Sequence, residues 1–367
     1  VENIKAACSG SDCCTITSGV VTATISTDDI DSLADLTGTS NAYTITVEDT
    51  SVAAASLTTL EGKTTETVTV SSSSITGTAS AIDTVYSSDG LTGLGSESVT
   101  VDSGTASVAE VNTLDGHTSG LVTATVTEGD MSTLADISGT GNALTISVTD
   151  TSVAADELTT LDGKTTVAVS VDATTLTGTN AEQLAAYAAN NAGTITGLDS
   201  AFDAANYLAS HSDLLDAFGS NTVSAKTHFF DFGVNESRTI DGFDESTYLA
   251  SYDDLLAAFG SDTSSAVTHY VEYGYSESRA TDNFDELGYI ASHVDLIKAY
   301  GKDFDNIATN SVNHYISYGY SEKRKVTFDA GAYLAAHSDL RDAFGSDEEL
   351  AKKHYIQYGM AENRALA

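Results

Sequence analysis

Short runs in which aliphatic residues alternate with hydroxyl-bearing or small residues recur through the first half of the chain. Eight such runs follow one another roughly every 22–30 residues. They cover residues 22–26, 44–47, 67–70, 98–101, 123–126, 145–148, 168–171 and 194–196. Alternation with period two, rich in β-branched residues, predicts β-strands that bury one face.

A second pattern lies between the runs and has helical spacing. Aliphatic residues three apart mark one helical face at Leu57/Leu60, Val111/Leu114 and Leu158/Leu161. A Ser or Thr near the start of each piece could cap a helix, and the closing Gly suits a left-handed terminus. We expect these helices to pack against the aliphatic strand residues, which include Ile45, Val47, Val68, Val70, Ile146 and Val148.

Strand, short helix and turn therefore recur about eight times over residues 20–197. Stacked passages of this kind predict an α/β solenoid whose strands form a parallel sheet. Residues 122–171 also resemble residues 23–70 nearly position by position, which indicates duplication of a larger block.

Residues 198–367 carry a different repeat of about 41–44 residues, present four times. Each copy begins with Phe-Asp, continues through Tyr-Leu (or Tyr-Ile), Asp-Leu and aromatic-Gly pairs, and then reads His-aromatic-x-x-aromatic-Gly. A Glu-x-Arg motif closes it. The histidines are His228, His269, His314 and His354, and the arginines are Arg238, Arg279, Arg324 and Arg364. The local spacing predicts two or three short helices per copy, and thus an all-α repeat array.

The repeated histidines and arginines favour a structural role, because a catalytic site occurs once and not once per repeat. We expect each His to be a packed or hydrogen-bonded core residue. Each Arg should pair with a carboxylate, either nearby or in the adjoining repeat. Ser210-x-x-Asp213, Ser251-x-x-Asp254 and Ser292-x-x-Asp295 predict capping boxes at helix starts.

The C-terminal motif resembles a repeat found in large bacterial surface and secreted proteins, of cyanobacterial type, where it often accompanies hemolysin-type or adhesin modules. All four copies are nearly complete, although Tyr252 stands where the others have His211, His293 and His337. The resemblance implies an extracellular or cell-surface location and an adhesive or structural context. It implies no catalytic residues.

Charge narrows the range of partners. The chain has 53 acidic and 15 basic residues, a formal net charge of −38. We therefore expect it to bind neither nucleic acid nor anionic lipid, because both are negatively charged. No apolar run is long enough for a membrane span. Calcium is the one cofactor that the sequence suggests, through an Asp that follows several strands: Asp49, Asp102, Asp150 and Asp172. The favoured alternative is that each Asp caps a turn.

All three cysteines lie in the first 19 residues, at Cys8, Cys13 and Cys14. Their spacing matches no zinc or redox motif. A local disulfide is the first expectation, and a bond between subunits, formed by a leftover thiol, is the second.

No motif of a known enzyme class is present, so we expect no enzyme. The sequence predicts an extracellular structural protein that self-assembles into a filament or a surface layer, with itself as its main partner. The alternative is an adhesin or fibre module that binds glycans or a host surface.

Overall fold

The computed structural model describes residues 20–25, 29–36, 38–102, 104–301 and 303–365. The chain divides into two compact units. The first runs to Phe202 and includes Phe232–Ser237; the second comprises Asp203–Asp231 and the chain from Arg238 onward. The cysteine-containing segment lies outside the described residues.

The first unit alternates strands with helices. Its strands are β1 (Thr22–Thr24), β2 (Ala42–Val47), β3 (Ser51–Ala53), β4 (Val68–Val70), β5 (Ser74–Gly77), β6 (Leu91–Thr92), β7 (Ser98–Val101), β8 (Val122–Thr125), β9 (Ala143–Thr145), β10 (Ser147–Val148), β11 (Ser152–Ala154), β12 (Val169–Val171), β13 (Thr175–Thr177) and β14 (Ile195–Thr196). Its helices are α1 (Ile30–Leu33), α2 (Ala54–Glu61), α3 (Ala79–Tyr86), α4 (Val108–His117), α5 (Met131–Leu134), α6 (Ala155–Asp162) and α7 (Asn180–Ala192). A short 3-10 helix, Leu198–Ser200, follows β14.

All the strand pairs among the described residues of this unit are parallel, and each joins one passage of the chain to the next. We call each passage of strand and helix a layer. The sheets have the orders β1-β2-β4-β6, β3-β5-β7-β8-β9, β10-β12-β14 and β11-β13. The prediction of parallel strands alternating with helices is therefore confirmed.

The core of the first unit lies between the aliphatic strand residues and the apolar helix faces. Ile45 and Val47 of β2 are at most 1% exposed, as are Leu57 and Leu60 of α2. Most layers also contain a second short strand, such as β3 or β5, which the alternating runs did not predict. Because that strand leads directly into the helix, a layer that contains it has two sheet faces and one helical face.

Two expectations about the helix ends fail at α2, and one of them is confirmed at α4. The residue before α2 is Ala53, which makes no side-chain capping bond, because Ser51, the serine at the start of this piece, belongs to β3. Gly62 ends α2 with a φ of −65°, so the helix stops without a left-handed residue. A full capping box does exist at α4, where Ser107 and Glu110 cap each other's backbone.

The block duplication has a structural counterpart. Val21 N–H donates to Asn41 Oδ1 (3.1 Å), and Val122 N–H donates to Asn142 Oδ1 (2.9 Å). The N–H groups of Tyr43 and Leu144 bond in the same way to Thr64 Oγ1 and Thr165 Oγ1, both at 2.9 Å. Equivalent bonds thus recur in the two blocks.

The second unit is helical, and the expectation of a helical C-terminal region is confirmed. Its helices are α8 (Ala204–Ala209), α9 (Ser212–Phe218), α10 (Thr222–His228), α11 (Glu245–Ala250), α12 (Asp253–Phe259), α13 (Thr263–His269), α14 (Glu286–Ala291), α15 (Val294–Tyr300), α16 (Ile307–His314), α17 (Ala330–Ala336), α18 (Ser338–Phe344) and α19 (Glu348–His354). A 3-10 turn, Phe304–Asn306, precedes α16. Each repeat has three helices, and the third continues into a π-helical turn: Phe229–Gly233, Tyr270–Gly274, Tyr315–Gly319 and Tyr355–Gly359.

The Asp of each Phe-Asp pair caps the first helix of its repeat; Asp244, for example, accepts from Thr247 N–H at 2.8 Å. The predicted capping boxes at the second helix are wrong. The N-cap of α9 is His211, without a side-chain bond, and Ser210 instead bonds the Asn206 carbonyl of the preceding helix. The prediction failed because the serine lies one residue before the N-cap position and instead forms the C-cap of the preceding helix, α8.

Candidate functional site

A buried tyrosine and a half-buried histidine form the same contact in every helical repeat. The hydroxyl oxygen of the tyrosine and Nδ1 of the histidine are 3.1 Å apart in Tyr207/His228, 3.0 Å in Tyr248/His269, 2.9 Å in Tyr289/His314 and 3.0 Å in Tyr333/His354. The tyrosine belongs to the first helix of its repeat and the histidine to the third. The pair therefore ties those two helices together.

The shifted pKa values of these groups leave the pair uncharged at pH 7. Burial, and then the nearby guanidinium, lowers the pKa of His269, His314 and His354. Burial raises the pKa of Tyr289 and Tyr333 to about 12. A protonated phenol and a neutral imidazole at pH 7 make a neutral hydrogen bond, which suits a structural tie.

Each repeated arginine binds the Asp of the Asp-Leu pair at the start of the second helix. Nitrogen–oxygen distances are 2.8 Å for Arg238/Asp213, 2.9 Å for Arg279/Asp254, 2.7 Å for Arg324/Asp295 and 2.7 Å for Arg364/Asp339. The hydrogen bonds from the guanidinium lower the pKa of Asp254 and Asp295. The partner lies in the same repeat as the Arg, 25–29 residues before it in the chain.

The Glu-x-Arg motif has a specific backbone. Ser278, between Glu277 and Arg279, adopts a φ of +56°, and its counterparts Ser237, Lys323 and Asn363 are also left-handed. Arg279 Nε then bonds Glu277 at 2.7 Å while its NH2 group bonds Asp254. One guanidinium thus closes the repeat onto its own second helix.

Tyr252 preserves the contact of the histidine that it replaces. His211 Nε2 lies 2.8 Å from the carbonyl oxygen of Thr239, and His337 Nε2 lies 2.9 Å from that of Ala365. The Tyr252 hydroxyl donates at 3.1 Å to the carbonyl of Ala280, also 28 residues later in the chain. Three of the four repeats therefore make this contact, whereas Nε2 of His293 in the third repeat is buried without a hydrogen-bond partner within the described part of the chain.

The four aspartates considered as calcium ligands lie in four different layers of the first unit, each directly after a strand or one residue beyond it. Asp49 Oδ2 accepts from Ile30 N–H (2.9 Å), and Asp150 Oδ2 accepts from Met131 N–H (2.7 Å). Each therefore bonds the start of a short helix in the preceding layer. Asp102 and Asp172 bond the preceding layer through their backbone N–H groups, at 3.2 and 3.0 Å. Over the described residues, no three His, Cys, Asp or Glu side chains gather closely enough to hold a metal ion.

A polar cluster in the first unit was missed by sequence reasoning. Glu97 is 3% exposed, and its carboxylate accepts from the Tyr86 hydroxyl and from the N–H groups of Gly95 and Ser96. Although burial opposes it, these hydrogen bonds lower the pKa of Glu97. His117 stacks on Tyr86 with ring centres 5.0 Å apart, and its Nε2 lies 2.8 Å from Asp83. The cluster stabilises a turn where β7 begins; none of its residues stands in a recognisable motif.

The second unit contains a cavity of about 500 Å³ between its repeats. Asp244, Asp282, Glu286, Val312 and Asn313 are among the residues that line it. Burial, and then neighbouring carboxylates, raises the pKa of Glu286. The cavity is therefore both acidic and partly desolvated.

Comparison with protein-family models, with curated proteins and with solved structures yields no match for this chain. Among the described residues, no helix has the length and apolar character needed to cross a bilayer. Function must accordingly be inferred from the repeats and their contacts.

Proposed function

We propose that this chain is an extracellular structural protein that self-assembles into a filament or a surface layer. Repetition supports the proposal, because the polar contacts of the second unit recur in each repeat. A catalytic site would need a constellation that occurs once. The motif resemblance and the net charge of −38 favour an extracellular location.

The first unit is, in this proposal, a solenoid of about eight layers whose end strand receives another copy. Strand β1 pairs with β2 along one edge. The Val21 carbonyl accepts from Ala42 N–H, and Ile25 N–H donates to the Thr44 carbonyl. Since backbone groups alternate along a strand, those of Thr22 and Thr24 are directed to the opposite edge. Among the described residues no strand pairs with this edge, and this observation carries the proposal.

Val20 and Val21, which precede β1, are 68% and 36% exposed. A strand of a second copy added at this edge would pair with the main chain and cover these side chains. If the β1 edge of one copy pairs with the opposite end of the first unit in the next copy, the contact is head-to-tail. Such a contact does not close on itself, so the product is a filament.

The test is Thr24→Pro, because proline removes the N–H directed to the open edge and leaves the bonds to β2 intact. Thr24→Val is the matched control, since valine keeps that N–H group. Negative-stain electron microscopy should show filaments or sheets for the wild type and for Thr24→Val, and discrete particles for Thr24→Pro. Wild-type protein that stays monomeric across calcium and salt concentrations would refute self-assembly.

A glycan-binding adhesin is the second candidate, and exposed tyrosines favour it. Tyr273, Tyr318 and Tyr358 occupy the same position in three repeats and are 55%, 61% and 57% exposed. Exposed aromatic faces at regular positions are typical of binding surfaces. A glycan screen in which binding disappears in the triple alanine variant, with discrete particles by microscopy, would favour this function over assembly.

A further inference from the structure

From the second repeat onward, the third helix of a repeat packs on the first helix of the repeat before it, as α16 does on α11 and α19 on α14. At the last of these junctions Lys352 of α19 reaches Asp285, the N-cap of α14. Its ammonium nitrogen lies 2.9 Å from Oδ1 and 2.8 Å from Oδ2 of that carboxylate. Asp285 Oδ1 also accepts from Gly288 N–H at 2.8 Å. The carboxylate therefore caps a helix and binds an ammonium group at the same time.

The preceding junction has the same carboxylate without the lysine. Asp244 is the equivalent of Asp285, and Val312 stands two residues before its histidine as Lys352 does. Asp244 and Val312 both line the acidic cavity of about 500 Å³. Over the described residues, that lining contains no lysine or arginine. The cavity thus lies where the neighbouring junction holds an ammonium group.

Carboxylates lie close together around the cavity. Asp282 and Glu286 share its lining with Asp244. Burial and then adjacent carboxylates raise the pKa of Glu286, and the same causes raise the pKa of Asp241 and Glu245 beside it. A cation in the cavity would relieve this repulsion. The ammonium group of Lys352 fits beside the equivalent carboxylate of Asp285, which favours an organic cation here.

We propose that the cavity binds a primary alkylammonium group, with Asp244 taking the role that Asp285 has toward Lys352. The group could come from a free diamine or from a lysine side chain. The proposal does not depend on self-assembly.

Isothermal titration with 1,5-diaminopentane, and separately with the amide of Nα-acetyl-lysine, tests the proposal on the full chain. Asp244→Asn removes the charge but keeps an acceptor for the Thr247 N–H, so α11 keeps its cap. Asp285→Asn is the matched control at the junction that Lys352 already fills. Val312→Lys supplies the cation from within the chain and should fill the cavity.

Saturable binding of the diamine to the wild type is expected, weakened at least tenfold by Asp244→Asn and abolished by Val312→Lys. Asp285→Asn should bind within about twofold of the wild type, and added salt should weaken binding. Binding of the lysine derivative as well would identify a side-chain source, and binding of the diamine alone would identify a free amine. Absence of saturable binding of either compound, or undiminished binding to Asp244→Asn, would overturn the proposal.

Discussion

In the last three repeats, the glycine that closes the His-aromatic-x-x-aromatic-Gly motif is required by the buried tyrosine of the same repeat. A Cβ added at Gly319 would overlap the Tyr289 hydroxyl and would lie 3.0 Å from Tyr289 Cζ and from Tyr315 Cδ2. Gly274 and Gly359 meet Tyr248 and Tyr333 in the same way. We therefore predict that Gly319→Ala destabilises the second unit.

The magnitude follows from two opposing effects. Inserting a methyl group into a filled site costs about 1–3 kcal/mol. Replacing a helical glycine by alanine returns up to about 1 kcal/mol. We expect a net loss of about 1–2 kcal/mol for Gly319→Ala. Gly331→Ala in α17, where the added Cβ would meet its nearest neighbours at 3.5 Å, should be neutral or stabilising by up to about 1 kcal/mol.

The second change in the cycle is Tyr289→Phe, which removes the hydroxyl that obstructs the methyl group. By itself it should cost about 1 kcal/mol through loss of the bond to His314. Combined with Gly319→Ala, the total loss should be smaller than the sum of the single losses by about 1 kcal/mol. Only part of the loss is recovered, because the ring carbons remain close.

Urea unfolding followed by tyrosine fluorescence is the assay. It reports mainly on the second unit, since all tyrosines except Tyr43, Tyr86 and Tyr187 lie after residue 203. Equal stability of Gly319→Ala and the wild type would refute the steric argument. Strict additivity in the double variant would show that the hydroxyl is not the obstructing atom.

Three further predictions concern ionisation, the Asp positions and the core. The pKa of His314 in the folded chain lies below the ordinary value of 6.5, so the unfolded chain takes up the proton first as pH falls. The stabilisation that the neutral His314 provides above pH 6.5 is therefore lost as pH falls below that value. His314→Gln should reduce the slope of unfolding free energy against pH between 7 and 5, and an unchanged slope in urea titrations would contradict this. Asp150→Ala should cost about 1 kcal/mol by removing the bond to Met131 N–H; a loss seen equally in calcium and in chelator indicates a cap, whereas a loss confined to calcium supports a metal ligand. Leu158→Ala should cost about 2–5 kcal/mol in thermal or urea unfolding because the side chain is fully buried, while Thr160→Ala on the exposed face should be nearly neutral, and similar losses for both would contradict the core assignment.

Features that repeat along the chain were predictable from the sequence. The alternation in residues 44–47 predicted strand β2, and the spacing of Leu57 and Leu60 predicted helix α2, because periodicity reports directly which side chains are buried. The repeated Arg was expected to find a carboxylate, and the partner proved to be the Asp of the second helix.

Other features depend on contacts that no local pattern records. The π-helical turns were not predicted. The spacing of four residues between His314 and Tyr318 is compatible with an α-helix and with a π turn, so it does not distinguish the two. The bond between Lys352 and Asp285 joins residues 67 positions apart. Lys352 binds Asp285 at one junction, and Val312 lines the cavity at the other. The sequence alone could not reveal this difference, because it does not show which helices touch.

The recurring hydrogen bonds of Asn41 and Asn142 bear on how such a chain can change its length. Each asparagine accepts through its side chain from the layer before it and through its carbonyl from the layer after it, at Thr65 N–H and Thr166 N–H respectively. The same asparagine, with the same hydrogen bonds to both neighbouring layers, therefore occurs at two points 101 residues apart. We call it a connector. Recombination between these points would add or remove a whole block and leave an intact connector at the new junction. Relatives of this chain should consequently differ in length by block-sized steps.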